Sequence, residues 1–449
     1  MPCSVAAPKQ PVSRHVHCSW WGMTCAGRRL GILSAHLSAA DRSTPCFSLV
    51  TTDVAEEAHA FRAAGEFAQS LVEGGRCHGL CLAVGRAGRV IYSTALGSSA
   101  PTPGEGGLEP NRPVEIGSIW EVASVTKPFT ALAVVQLIER AGGLDGRGSF
   151  TLDTRVSSIL PAFGGLPTDL PPADQGWDRS NVTLRHLMTH TSGLRDAIDI
   201  DRSGQPSLDE HLDAVCKRGS LQFAPGTDIS YSSQGIMLLA GVVEAVTGTP
   251  LPAYLSANVF VPLGMLDTCL GAGGSRRRQP EREMTMHFQI VAENRSWDHN
   301  STYWRNLGAP WGGLLTTVHD MTVFYQAMLG GASQLTRERI LLPATAHLMC
   351  QSFTHRKQSA VPVEKQVGLI YGEKPSSSWG LGFRINEAEL KFGVQSSRAF
   401  GHHGASGAIA WADPMTGLSM VCFSTEPSLC YSEEFNQLSA LVVEGAASF

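Results

Sequence analysis

The sequence predicts an α+β fold: one antiparallel sheet built from both ends of the chain, flanked by helices, with a mostly helical lobe inserted at roughly 140–310. Three patterns lead there. Residues 78–97, "HGLCLAVGRAGRVIYSTALG", read as two short strands joined by a Gly-containing turn at Arg86–Gly88. Residues 397–426, "SRAFGHHGASGAIAWADPMTGLSMVCFSTE", alternate and carry the turn Asp413-Pro414-Met415-Thr416-Gly417, a strand followed by a hairpin. Between these two regions helices and loops dominate.

In chain order, "VAEEAHAFRAAGEFAQSLVEG" (54–74) spaces Val54, Ala58, Phe61, Ala64, Phe67 and Leu71 on one helical face, with Gly74-Gly75 as the stop. "EVASVTKPFTALAVVQLIER" (121–140) reads as a helix that is apolar almost all round. "TLRHLMTH" (183–190) begins a short helix capped by Thr183, and "SQGIMLLAGVVEAVTG" (233–248) a longer one ended by Gly248. "TTVHDMTVFYQAMLGG" (316–331) reads as an amphipathic helix, and 431–446 as a closing helix. Residues 168–180, 272–283 and 354–378 are loop-like, the second a solvated basic run. Regular patterning starts near 54, so 1–53 is expected as a tail and 54–449 as one folded domain.

At 449 residues, 43% apolar and 17% charged, the chain has an ordinary globular composition. A net charge of −5 gives nucleic acid no foothold as a partner. No apolar run reaches the roughly 18–20 residues that span a bilayer, so no integral membrane segment is expected. The eleven cysteines hold no C-x-x-C pair, and Cys77 and Cys81 lack a second matching pair for zinc. They read as free buried thiols of a reducing compartment. The first forty residues carry Lys9, Arg14, Arg28 and Arg29 and no acid before Asp41. That composition fits a disordered tail or a transit segment, so the chain is expected to be soluble and either cytoplasmic or organellar.

The chemistry narrows by exclusion first. There is no G-x-S-x-G elbow, no G-x-x-x-x-G-K-[ST], and no G-x-G-x-x-G after a strand. His186 and His190 are four apart but lack the Glu a zincin needs, and read as structural. No metal and no organic cofactor is expected. Ser124 and Lys127 remain. Three residues apart on a helix, they share a face about 5–6 Å apart at Cβ. A lysine there takes the serine proton if its own pKa is depressed. The helix N-terminus adjoining Ser124 favours a developing oxyanion. Pro128 is tolerated only in a first turn, which places Ser124 at the helix start.

With seven lysines and roughly one serine in ten residues, about 0.7 Ser-x-x-Lys matches arise by chance, so the pair needs partners. Tyr231 in "GTDISYSSQG" precedes the helix at 233 and can project from its loop as a base. His402 in "FGHHGASG" ends a strand whose glycines, Gly401 and Gly404, allow close backbone approach.

Ser124-Val-Thr-Lys127, Tyr231-Ser-Ser233 and His402-His-Gly404, in this order and at these separations, resemble the serine β-lactamase-related superfamily of class C β-lactamases, D,D-peptidases and esterases. The resemblance runs from about 77 to 427 and takes in "LRHLMTHTSGL" (184–194), "APWGGLLTTVHDMTVFYQAML" (309–329) and "WGLGF" (379–383). It implies the β-lactamase/D,D-peptidase-like fold and an acyl-enzyme. Ser124 would be the nucleophile, Lys127 the holder of the proton network, and Tyr231 the general base and acid. The backbone N–H groups of Ser124 and Ala405 would form the oxyanion hole, with His402, Gly404 and Ser233 lining the substrate. Two departures stand out: Tyr-Ser-Ser replaces Tyr-x-Asn, and His402 stands where lactamases carry the Lys of Lys-Thr-Gly. Both turn the expectation toward a carboxylic-ester hydrolase. A D,D-peptidase, amidase or weak β-lactamase is the alternative, and an idle binding or scaffold protein of the same fold the rival from another class. The substrate is expected to be a small ester, amide or peptide, and the oligomeric state is left open.

Overall fold

Leu80, Leu82 and Val84 alternate with Cys81 and Ala83 along strand β1 (Gly79–Arg86), and all five are buried. A strand covered on both faces belongs at the centre of a sheet. In the computed structural model of the chain, β1 lies between β2 (Arg89–Gly97) and β10 (Leu418–Ser424), antiparallel to both. Ala87 and Gly88, at φ 52° and 79°, supply the left-handed two-residue turn that matches strand twist. The described residues are 59–448 apart from 101–102, 105–106, 109–111, 198–199, 201–203, 273–278, 288–297, 331–332, 334–335, 355–377 and 387–394. The expected tail (1–53), most of the polar loop at 354–378 and the centre of the basic run at 272–283 fall outside them.

Seven strands run in the order β2-β1-β10-β9-β8-β7-β6. The last four are β9 (Ala408–Asp413), β8 (Phe400–Gly404), β7 (Arg384–Ile385) and β6 (Ser378–Trp379). Both ends of the chain therefore build one antiparallel sheet, as the alternation patterns predict. Helices α1 (Arg62–Glu73) and α9 (Glu433–Ala446) cover one face, where Ala64, Ala68, Leu71, Leu438 and Val442 pack on Leu80, Leu82, Val84, Met420 and Cys422. The other face, with Cys81, Ala83, Val421 and Phe423, packs on the helical core.

That core holds α2 (Lys127–Arg140), α5 (Ser233–Thr247) and α8 (Val318–Met328), with α3 (Leu184–Met188), α4 (Leu208–Arg218), α6 (Leu251–Leu263) and α7 (Thr302–Leu307) around them. Thr183 caps α3 and Gly248, at φ 66°, ends α5, both at the expected residues. A small sheet, β3 (Trp120–Glu121), β5 (Leu314–Thr316) and β4 (Cys269–Leu270), ties the lobe to the start of α2.

Two expectations change. The helix expected over 121–140 begins at Lys127: residues 120–121 are strand β3, and 123–126 form a single tight turn. Ala123 at φ 43° cannot sit inside a right-handed helix, so the chain turns there before α2 starts. Helix α8 is not amphipathic. Of its residues only His319 is not buried, because it lies between the sheet and α2, with Phe324 stacked on Phe129 at 4.0 Å between centroids. No single helix among the described residues is long and apolar enough to cross a membrane.

Candidate active site

The turn Ala123–Thr126 places Ser124 half-buried at the foot of α2, and Lys127 follows as the first, buried, residue of the helix. Pro128, second in the helix, needs no amide partner there. Lys127 Nζ donates to Ser124 Oγ (2.8 Å) and to the carbonyl O of Trp311 (2.9 Å). The segment 309–314 grips this turn at three further points. Thr130 Oγ1 donates to Pro310 O (2.7 Å), the Leu314 N–H donates to Thr126 Oγ1 (3.0 Å), and the Val122 N–H donates to Leu314 O (3.1 Å).

Tyr231 enters from the loop before α5, and Lys127 Nζ stands 4.7 Å from its ring centroid. His190 clamps this loop on both sides of the tyrosine. Its carbonyl accepts from the Ser230 N–H (2.8 Å) and its Nδ1 from the Ser232 N–H (3.1 Å), while its ring lies 4.6 Å from that of Tyr231. Trp379 completes the wall, 4.4 Å from His190, 5.6 Å from Tyr231 and 5.7 Å from His402.

His402 faces Tyr231 at 6.1 Å between ring centroids. Its Nδ1 donates to the His403 carbonyl (2.6 Å), which fixes the tautomer: the neutral ring presents a lone pair at Nε2. Burial, and after it the charge of Lys127, pushes the pKa of both His402 and His190 well below the ordinary histidine value. Both imidazoles are therefore neutral.

Gly404 lets β8 pass against the turn, since a Cβ there would meet Val122 O at 2.1 Å. Ala405 opens the tight turn closed by the Gly407 N–H donating to Gly404 O (3.0 Å). Ser233 is the first residue of α5, its N–H donating to Asp196 Oδ1 (2.8 Å). The fold thus gathers Ser124, Lys127, Tyr231 and His402 around one point, with Gly404 beside them. Ser233 joins through its place two residues after Tyr231. His186 accepts from the Thr183 N–H at Nδ1 and serves the α3 cap.

Sequence reasoning missed three contributors: the Trp311 carbonyl, Trp379, and His190 as the clamp on Tyr231. A backbone carbonyl leaves no residue-type signal. His190 reads as structural from the sequence, and nothing local to it signals a contact with a loop forty residues later. Two cavities, of about 240 and 610 Å³, open elsewhere, beside Arg398 and Phe400 and beside Arg195 and Arg218.

An antiparallel sheet formed by both chain ends, a helical lobe, and a serine hydrogen-bonded to a lysine three residues on make up the frame of the candidate site. The chain belongs to the β-lactamase family, whose model matches residues 64–434. A protein of Escherichia coli provisionally named a D-alanyl-D-alanine carboxypeptidase is 23% identical over 368 residues, 76% of this chain and 76% of that protein. Esterase EstB of Burkholderia gladioli is 33% identical over 263 residues, 55% of this chain and 58% of EstB. A penicillin-binding protein homolog from Caulobacter crescentus shares the fold at TM-score 0.67 and 20% identity, covering 86% of this chain and 97% of that one. The chain is accordingly a serine hydrolase of the β-lactamase family.

Proposed function

We propose that the chain hydrolyses carboxylic esters through an acyl-enzyme on Ser124. The observation that carries this reading is the 2.8 Å bond between Lys127 Nζ and Ser124 Oγ, with the Tyr231 ring 4.7 Å from the same nitrogen. Tyr231 takes the Ser124 proton as Oγ attacks the acyl carbon, then passes it to the leaving alcohol. Lys127, anchored by the Trp311 carbonyl and 4.7 Å from the tyrosine ring, holds the network. The N–H groups of Ser124 and Ala405 receive the oxyanion. Water, activated by Tyr231, then releases the acid.

The neutral His402 favours an ester. A lysine at that place offers a permanent charge to a substrate carboxylate, whereas a buried neutral imidazole offers a lone pair. The likeness to EstB points the same way. A second reading, a D,D-peptidase, amidase or weak β-lactamase, is supported by the E. coli relative.

The test is incubation with a fluorophosphonate and with a nitrophenyl ester series, followed by intact mass. An adduct on the wild type that vanishes in Ser124→Ala is expected. No adduct with any acyl donor would refute the enzyme reading and leave the idle scaffold. Lys127→Ala and Tyr231→Phe should each lower turnover by roughly 100-fold or more with the fold intact. Comparing ester with β-lactam and D,D-peptide turnover separates the two hydrolase readings.

A further inference from the structure

The side chain of Glu121 is 0% exposed and lies three residues before Ser124. Burying a carboxylate is costly unless its oxygens are held, and here both are. Oε1 accepts from the Ala123 N–H (3.1 Å) and from Trp304 Nε1 (3.2 Å), and Oε2 is bonded to His299 Nδ1 (3.0 Å). Two of these bonds lead toward Ser124 and Lys127. Ala123, at φ 43°, occupies the left-handed region that a residue with a Cβ enters at a cost. It is the residue that turns β3 into the tight turn carrying Ser124. Trp304 packs 6.1 Å from Trp311, whose carbonyl anchors Lys127.

We propose that Glu121 is a positioning residue. Its carboxylate holds Ala123 left-handed and Trp304 against Trp311, and so aims Ser124 Oγ and Lys127 Nζ at each other. The bonds of Glu121 reach Ala123, Trp304 and His299 and stop short of Ser124, so it acts through the backbone and the indole. This inference rests on the reading of Ser124 as nucleophile.

The experiment measures the rate of fluorophosphonate labelling of Ser124, kcat and KM for a nitrophenyl ester, and the melting temperature, all on the full chain. Glu121→Gln keeps an acceptor for Ala123 and should label within about three-fold of wild type. Glu121→Ala should lose about 10- to 100-fold in labelling rate and kcat, with KM nearly unchanged. Adding Ala123→Gly, which enters the left-handed region freely, should recover about ten-fold of that loss. A merely structural role would lower the melting temperature without that recovery. Wild-type labelling by Glu121→Ala, or a double variant no faster than the single, overturns the inference alone. Should Glu121→Ala not fold, Glu121→Met fills the volume without accepting from Ala123 and is read the same way. An unlabelled wild type brings down the hydrolase reading and this inference with it.

Discussion

Replacing Gly404 by alanine tests how closely the sheet must approach Ser124. The new methyl would stand 2.1 Å from Val122 O and 3.0 Å from Val122 C, both fixed backbone atoms. The same carbonyl accepts from the Val125 N–H (3.1 Å), so Val122 is part of the turn that carries Ser124. Ordinary non-bonded contact lies more than about 1 Å further out. Either β8 or the turn must retreat by that amount, a displacement that costs roughly 100-fold in rate when it separates reacting groups. At 1.36 kcal/mol per tenfold, the expected loss in kcat/KM is about 2.7 kcal/mol. Gly401→Ala is the control. Its methyl would meet Ala410 O at 2.3 Å, a similar overlap on the opposite face, and the strain falls on β9. Both variants should lose about 1–3 kcal/mol of stability by overpacking. Only Gly404→Ala should lose more than about ten-fold in kcat/KM on nitrophenyl esters. Equal losses in the two variants, or a folded Gly404→Ala of wild-type activity, would refute the reasoning.

Three further predictions follow from buried groups. His190→Ala should unclamp Tyr231, leaving the Ser232 N–H without its 3.1 Å acceptor, and lower kcat by roughly ten-fold or more with KM little changed. Arg179 is fully buried over the Phe163 ring (4.8 Å) and donates to the carbonyls of Gly165 (3.0 Å), Cys216 (2.8 Å), Gly219 (3.2 Å) and Leu166 (3.1 Å). Arg179→Met should cost about 3–5 kcal/mol in urea unfolding, because those acceptors lose their donor. The pKa values of His190, His402 and His403 are lowered by burial, so below about 6.5 the unfolded chain binds protons that the native state refuses. Stability contributed by their neutral burial is thus present above about pH 6.5 and lost as the pH falls, by up to about 1.4 kcal/mol per histidine at pH 5.5. Urea melts at pH 7 and 5.5 read this directly, and a His402→Gln variant should show a shallower slope.

The sheet was legible because the alternation over 397–426 and the two turns are local signals. The pair Ser124 and Lys127 was legible because three residues on a helical turn fix a distance. What the sequence hid is non-local. Helix α8 reads as amphipathic because it carries polar residues among its apolar ones. In the fold Asp320 accepts from Thr268 Oγ1 (2.8 Å), Thr322 Oγ1 donates to Val318 O (2.7 Å) and Gln326 Nε2 donates to Ser419 Oγ (2.9 Å), so these polar groups are buried and satisfied. Periodicity does not distinguish water from a distant hydroxyl. Likewise Glu121 resembles any helix-start acid until β5 pairs with β3 and brings the segment before it alongside. The left-handed Ala123 gave no warning, since alanine is the strongest helix former.

Strand β1 finds its second neighbour in β10, with Leu80 opposite Ser424, more than 330 residues later. A chain emerging from a ribosome can close the β1–β2 hairpin early, but one long edge of that hairpin stays open until the last strands arrive. The same late strands include β8, which packs on the turn of Ser124. A nascent chain stalled short of β8 therefore carries Ser124 and Lys127 without the strand that packs on their turn. The order of the elements along the chain delays the hydrolase until its fold is nearly complete.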